Sequence, residues 1–147
     1  MRKKVSLKMF MNEILSIYLS DKRTHIHYTR INTNIYTGGY ELYRLNVLSK
    51  RNPTQQYKLL ADFLRISLFN RSNYEGFLPS CPIIYSMSSV DHPDDWRGML
   101  FGTIKYPNEN MPYPYICYLS VMSIDRRHKL GSILLNQFIN EIVNKFD

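Results

Sequence analysis

The sequence predicts an α+β domain, a mixed sheet with flanking helices. Three observations predict it. Three strand-like segments run close together between Ile83 and Met122, separated only by turns rich in Pro, Asn and Asp. Apolar residues recur at helical spacing over Ser6–Leu19, from Thr54 to Leu68 and again after Gly131. The 147 residues are the length of one ordinary domain, and 44% hydrophobic content is enough for a packed core.

Taken in order, Leu7, Phe10, Met11, Ile14, Leu15 and Tyr18 mark an amphipathic N-terminal helix. Asp21–Thr37 is polar and reads as a loop or an edge strand, closed by the turn signal Tyr36-Thr37-Gly38-Gly39. Tyr40–Leu48 alternates as a strand, with Tyr40, Leu42, Leu45 and Val47 as its markers. Asn52-Pro53-Thr54 opens a helix with Thr54 as its cap, carrying Tyr57, Leu60, Ala61, Leu64, Ile66 and Leu68. Asn70–Pro82 is a loop, Ile83–Met87 a short strand, and Val90–Arg97 a turn. Met99–Tyr106 is a strand with Gly102 at a bulge, and Pro107–Pro114 another turn. The domain reading is an N-terminal helix and loop extension over 1–39, then a second unit over 40–147.

The net charge of +7 and pI near 9.4 favour an anionic partner. Two cysteines without a CxxC make a disulfide framework unexpected. Cys117, in mid-strand, reads as a buried thiol, and Cys81, in a Pro-Ser-Cys-Pro turn, as a partly exposed one, which fits a cytoplasmic location. Lys8, Asn12 and Glu13 interrupt the first apolar stretch and no small-residue cleavage site follows, against a targeting segment. No run approaches the roughly 20 apolar residues of a membrane span.

The last quarter carries most of the functional signal. Tyr115–Met122 reads as a buried strand, Ser123–His128 as a basic turn, and a helix begins near Gly131 with Ile133, Leu134, Leu135, Phe138, Ile139, Ile142 and Val143 at its periodicity. Strand, basic turn, helix is a phosphate-binding layout, because first-turn N–H groups are free and the helix dipole favours an anion there. Neither GxxxxGK[ST] nor GxGxxG occurs. Instead Arg126-Arg127-His128-Lys129-Leu130-Gly131-Ser132 follows the strand.

This run resembles the acetyl-coenzyme A loop of the GNAT acetyltransferases, [QR]-x-x-G-x-[GA], with Arg126 in the first position and Gly131 in the last. Lys129 stands where the family has its first glycine, and a lysine disfavours the positive φ of that loop. Tyr115-Ile116-x-x-Leu119-x-Val121 followed by Arg126-Arg127-x-x-Leu130-Gly131-Ser132-x-Leu134-Leu135 is similar to the protein N-terminal acetyltransferases of the NatE and NatF types. The resemblance implies a central, mostly antiparallel sheet with flanking helices, and acetyl-CoA as cofactor. It implies that Tyr115, eleven residues before Arg126, helps take the proton from an acceptor α-amine. It assigns oxyanion stabilisation to the Leu119 N–H, the pantetheine arm to the main chain of Leu119 and Val121, and the pyrophosphate to the N–H groups of Arg126, Arg127, His128, Lys129, Leu130, Gly131 and Ser132. The segment Pro79–Tyr85 loosely resembles the Pro-containing loop that shapes the peptide pocket of NatE-type enzymes.

The family continues past this helix with a further strand bearing a histidine partner for the tyrosine, to which no residue here maps. The expectation is an exposed edge at Tyr115–Met122, and aggregation, a swapped partner, a homodimer or completion by another chain. The other constellations are weaker. His25-x-His27 lacks a completing cluster, so no metal is expected. His128 faces solvent or a phosphate, and Asp91, Asp94 and Asp95 near His92 form a solvated turn. The basic clusters at Arg2–Lys4, Lys22–Arg23 and Lys50–Arg51 are dispersed, which argues for solvated surface and against nucleic acid. The expected activity is transfer of an acetyl group from acetyl-CoA to a primary amine, a protein or peptide N-terminus first. A small amine or amino sugar is an alternative acceptor, and a non-catalytic acyl-CoA-binding or basic module is the alternative of another class.

Overall fold

The computed structural model describes residues 26–32, 38–47, 53–107 and 111–146. They form an α+β domain, a five-stranded antiparallel sheet with a helix on each face. Its strands are β1 (Ile26–Ile31), β2 (Tyr40–Val47), β3 (Ile83–Ser89), β4 (Trp96–Lys105) and β5 (Tyr113–Val121), neighbours in chain order throughout. Helix α1 (Pro53–Ser67) connects β2 to β3, and α2 (Leu130–Phe146) follows β5. The helix read over Ser6–Leu19, and His25, lie outside the described residues.

The polar segment 21–37 contains a strand: Ile26–Ile31 pairs along its length with β2, so the sheet takes in part of the segment read as an N-terminal extension. Ile26 and Tyr28 are the buried positions that pay for this edge. β4 begins at Trp96, inside the segment read as a turn, because Ser88 pairs with Trp96 after a register shift. The turn before it is built rather than merely solvated. Ser88 Oγ donates to the Pro93 carbonyl at 2.9 Å, and Ser89 Oγ to Asp95 at 2.6 Å. Helix α1 starts at Pro53, so Thr54 lies within the first turn and not at the cap position. A proline at the first helical position has no N–H to leave unsatisfied.

Strand alternation sorts the core into two layers. Tyr43, Leu45, Ile84, Met99 and Phe101 face α1, whose Leu60, Ala61, Phe63 and Leu64 are buried against them. Leu42, Tyr85, Met87 and Leu100 face α2, which buries Leu130, Ile133, Leu134, Phe138 and Ile142. Full burial of each such side chain contributes about 1.5–3 kcal/mol. The apolar stripe of α1 ends on a serine. Ser67 is 2% exposed while Ile66 is 59% exposed, and Ser67 Oγ accepts a 2.8 Å hydrogen bond from Ser120 on β5. Ile139 and Val143, although on the helical period of α2, are exposed.

Across the α2 layer, Arg44 donates from Nε and Nη2 to the two oxygens of Glu141, each at 3.0 Å, and Tyr85 donates its hydroxyl to the same carboxylate. Burial and then the bond to Glu141 push the Tyr85 phenol up to about 12. Burial alone would raise the Glu141 carboxyl, but the hydrogen bonds from Arg44 and Tyr85 outweigh it and hold the group below its usual range.

The register of β4 with β5 shifts between Phe101, opposite Tyr118, and Gly102, opposite Ile116. Cys117 is thus the extra residue of a β-bulge on β5. It is bonded to Cys81 in a disulfide whose Cα atoms are 6.5 Å apart. This corrects the reading of two independent thiols: Cys81 is buried rather than exposed, and both are oxidised. Isolated spacing of the two residues held no sign of the pairing, because the contact is made by the bulge. Among the described residues, no helix is long and apolar enough to cross a membrane.

Two outcomes are expected from this packing. The cystine closes a loop between residues 36 apart, and such closure restricts the unfolded chain by about 4 kcal/mol. Urea unfolding with and without a phosphine reductant should show a loss of roughly 2–4 kcal/mol on reduction; equal midpoints would mean that the bond is not formed in solution. A Cβ on Gly102 would lie 2.8 Å from the ring of Phe138 and 3.2 Å from the Tyr115 carbonyl oxygen, whereas one on Gly39 would meet nothing within 4 Å. Gly102→Ala should therefore lower stability by about 1–3 kcal/mol and Gly39→Ala by less than about 0.5 kcal/mol.

Candidate functional site

The strand-to-helix junction is held by a buried carboxylate. Asp125, 7% exposed, ends a 3₁₀ turn (Ser123–Asp125) and accepts hydrogen bonds from the Tyr40 hydroxyl at 2.7 Å and from Arg97 Nη1 at 3.2 Å. Burial, then the bond to Asp125, pushes the Tyr40 phenol up. Asp125 is thereby committed to β2 and β4 and leaves the cations that follow it unneutralised. The sequence marks it as one residue of a turn, because a short polar residue between Ile124 and Arg126 carries no sign of burial.

Residues 126–129 are exposed and then Leu130 is buried, 1% exposed, which seats the first turn of α2 against the sheet. Two residues in this loop are left-handed: Arg127 at φ 74° and Lys129 at φ 64°. Lys129 therefore adopts the conformation that its side chain was expected to oppose. The cost is on the order of 1–2 kcal/mol per residue. Turns of this kind make concavities that bind anions. The Ile133 N–H reaches the Lys129 carbonyl at 3.1 Å, so Leu130, Gly131 and Ser132 form the first turn, whose N–H groups have no acceptor within the helix. No acidic residue stands in that turn. A Cβ on Gly131 would meet nothing within 4 Å, so neither packing nor backbone conformation demands glycine there, and the space above the turn is open.

These residues line one open cleft of about 640 Å³, between the end of α1, β5 and the start of α2. Of the residues predicted to hold a cofactor, Leu119, Val121, Arg126, Arg127, Lys129, Leu130, Gly131 and Ser132 line it, joined by Leu68 and Ser120. Leu68 arrives there because α1 terminates in a left-handed residue, Phe69 at φ 54°, with the Asn70 N–H closing on the Arg65 carbonyl at 3.0 Å. His128 is the exception. It is exposed, and its ring packs at 5.6 Å from that of Tyr40, outside the lining.

The main chain of β5 is oriented by two observations. The Met122 N–H donates to the Arg97 carbonyl of β4 at 2.8 Å, so residue 122 faces the sheet and residue 121 faces away. In agreement, the Val121 carbonyl accepts from Arg126 Nε at 3.2 Å, on the exposed side. Main-chain groups two residues apart point the same way, so those of Leu119 also face the free edge. Among the described residues β5 pairs with β4 alone. Tyr113, Tyr115, Ile116 and Leu119 on this strand are exposed, which corrects the expectation of a buried strand.

Tyr115 does not join the cleft. It pairs with Thr103, while Leu119 pairs with Leu100, so the two side chains lie on opposite faces. Simple alternation would have put them on the same face; the extra residue at Cys117 reverses it. The Tyr115 ring lies instead under the Lys105 ammonium, 4.5 Å from its centroid. Its partner on β4 is three residues from the partner of Leu119, a spacing of about 10 Å along the strand. The disulfide brings the turn Leu78–Ser80, from the segment read as a pocket-shaping loop, beside the same part of β5.

A second hollow, about 740 Å³, is lined by Asp62, Arg65, Ile66, Phe69, Asn70 and Arg71. Its Arg65 is already bound by Asp62 and Glu75, at 2.7 and 2.9 Å. Among the described residues no group of His, Cys, Asp and Glu is placed to hold a metal ion. Comparison with protein-family models, with curated proteins and with solved structures gives no match.

If the left-handed backbone at Lys129 is strained as its φ of 64° implies, Lys129→Gly should stabilise the fold by about 0.5–1 kcal/mol, because glycine removes the strain and returns part of the gain as chain entropy. Lys129→Ala is the control in chemical denaturation and should bring no such gain.

Proposed function

We propose that the cleft binds acetyl-coenzyme A and that the protein is an N-acetyltransferase of the GNAT type, acting on a primary amine, in the first place a protein or peptide N-terminus. One observation carries this reading: an outward-facing strand edge and a cationic, left-handed helix entry open into the same cleft. The main chain of Leu119 and Val121 would pair with the pantetheine amides as an added strand. The first-turn N–H groups of α2 and the side chains of Arg126, Arg127 and Lys129 would meet the phosphates. The acetyl end would then lie along β5 towards the bulge, where the Leu119 N–H would serve the oxyanion. The acceptor would approach from the face that bears Tyr115 and the Leu78–Ser80 turn, with Tyr115 taking the amine proton through water.

A second reading has an observation in its favour. The cleft lining contains no carboxylate and no histidine, as suits an acyl-CoA-binding module without turnover. The same lack of acid weighs against an amino-sugar acceptor.

A thermal-shift titration with acetyl-CoA tests the cofactor, with the double variant Arg126→Glu, Gly131→Asp as control. Ligand at one hundred to one thousand times its Kd stabilises by roughly 3–4 kcal/mol, several degrees for a domain of this size. A rise in the parent that is lost in the variant is the expected result; no rise in a folded parent would sink the reading. Acetyl transfer to N-terminal peptides then separates the enzyme from the binding module, and Tyr115→Phe should lower kcat with little change in the acetyl-CoA shift.

A further inference from the structure

The side chain of Arg126 holds a position that the proposed ligand needs. Its Nε donates to the Val121 carbonyl at 3.2 Å, across the free edge of β5. That carbonyl faces the cleft, and it is one of the main-chain acceptors to which an extended amide-bearing chain would pair. Arg126 is also one of the three cations of the lining, with Arg127 and Lys129. Arg126 and its neighbours through Lys129 are exposed, so the guanidinium is not fixed by burial in the core. Its one anchor given by the geometry is a carbonyl, a weaker partner for a guanidinium than a phosphate, which accepts two parallel charge-assisted bonds.

We infer that Arg126 is a displaceable latch that selects phosphate-bearing acyl carriers: in the free protein it occupies the Val121 carbonyl, and a ligand with phosphate draws it off and frees that acceptor for the pantetheine amide. The inference rests on the coenzyme reading above. The two halves of the ligand are then coupled through one side chain. A carrier with phosphate pays little for opening the edge, because the guanidinium moves from one acceptor to a better one. A phosphate-free acyl-pantetheine must displace Arg126 from Val121 and leave it to water. Selectivity therefore exceeds what the missing phosphate contacts alone would produce. Arg127 has no such bond to the strand edge and serves as the comparison, since its removal takes the same charge from the same loop.

The test is an NMR titration, which reads millimolar dissociation constants, of the parent, Arg126→Ala and Arg127→Ala with acetyl-CoA and with S-acetylpantetheine. Both variants should bind acetyl-CoA about tenfold or more weakly, as expected for loss of a charge-assisted bond. Arg126→Ala alone should bind S-acetylpantetheine roughly two- to tenfold more tightly than the parent, the worth of one ordinary hydrogen bond removed from the competition. In the parent, adenosine 3′,5′-bisphosphate should shift the Arg126 Nε–H resonance and S-acetylpantetheine should not drive it to the same position. Unchanged or weaker binding of S-acetylpantetheine by a folded Arg126→Ala, beside normal acetyl-CoA binding by the parent, overturns the latch and spares the coenzyme reading. Failure of the parent to bind acetyl-CoA overturns both.

Discussion

The ring of Phe138 fits against β4 because residue 102 has no side chain: a Cβ there would lie 2.8 Å from two ring atoms. Much of the cleft side of the molecule follows from that contact. Phe138 is the large fully buried side chain of α2, and with Leu130, Ile133 and Leu134 it seats the helix on the sheet. The same glycine stands opposite the register shift, with the Tyr115 carbonyl close to its empty position. Helix placement and strand bulge are therefore one packing solution. The bulge turns the first half of β5 over, while the second half keeps its main chain directed at the free edge.

The helix entry shows how an unfavourable arrangement is held. Arg126, Arg127 and Lys129 are neighbours at the positive end of a helix, and two of them are left-handed. Repulsion and strain both oppose this. What opposes them in turn is burial on either side: Asp125 is anchored to Tyr40 and Arg97 before the loop, and Leu130 is fixed in the core after it. The loop is stretched between two fixed points, and the space it encloses suits an anion. Strain maintained by its surroundings is a usual mark of a functional loop.

Much of the fold was legible because it rests on local periodicity. β2 and α1, and less fully β3 to β5 and α2, sit near where alternation and helical spacing put them, with ends displaced by a few residues. The cleft lining was legible for the same reason, since Leu119 to Ser132 is one continuous strand–turn–helix. What periodicity missed was non-local. Of the two readings left open for the segment 21–37, loop or edge strand, the pairing of β1 with β2 selects the edge strand. Ser67 takes a core position because Ser120 lies opposite it. The cystine and the reversal of Tyr115 both come from one extra residue in β5, and a period-2 reading has no means of locating an insertion that only the partner strand defines.

The cystine also changes what kind of object the chain is. With Cys81 joined to Cys117, β3, β4 and the first residues of β5 belong to a closed covalent ring, while β1, β2, both helices and the loop that enters α2 lie on its two tails. Pulled from its ends, such a chain cannot extend through the ring: the 36-residue separation is bridged by one bond, which withholds roughly 120 Å of contour length. Mechanically the molecule is a hoop with two tethers, and the proposed cofactor strand is the place where one tether leaves the hoop.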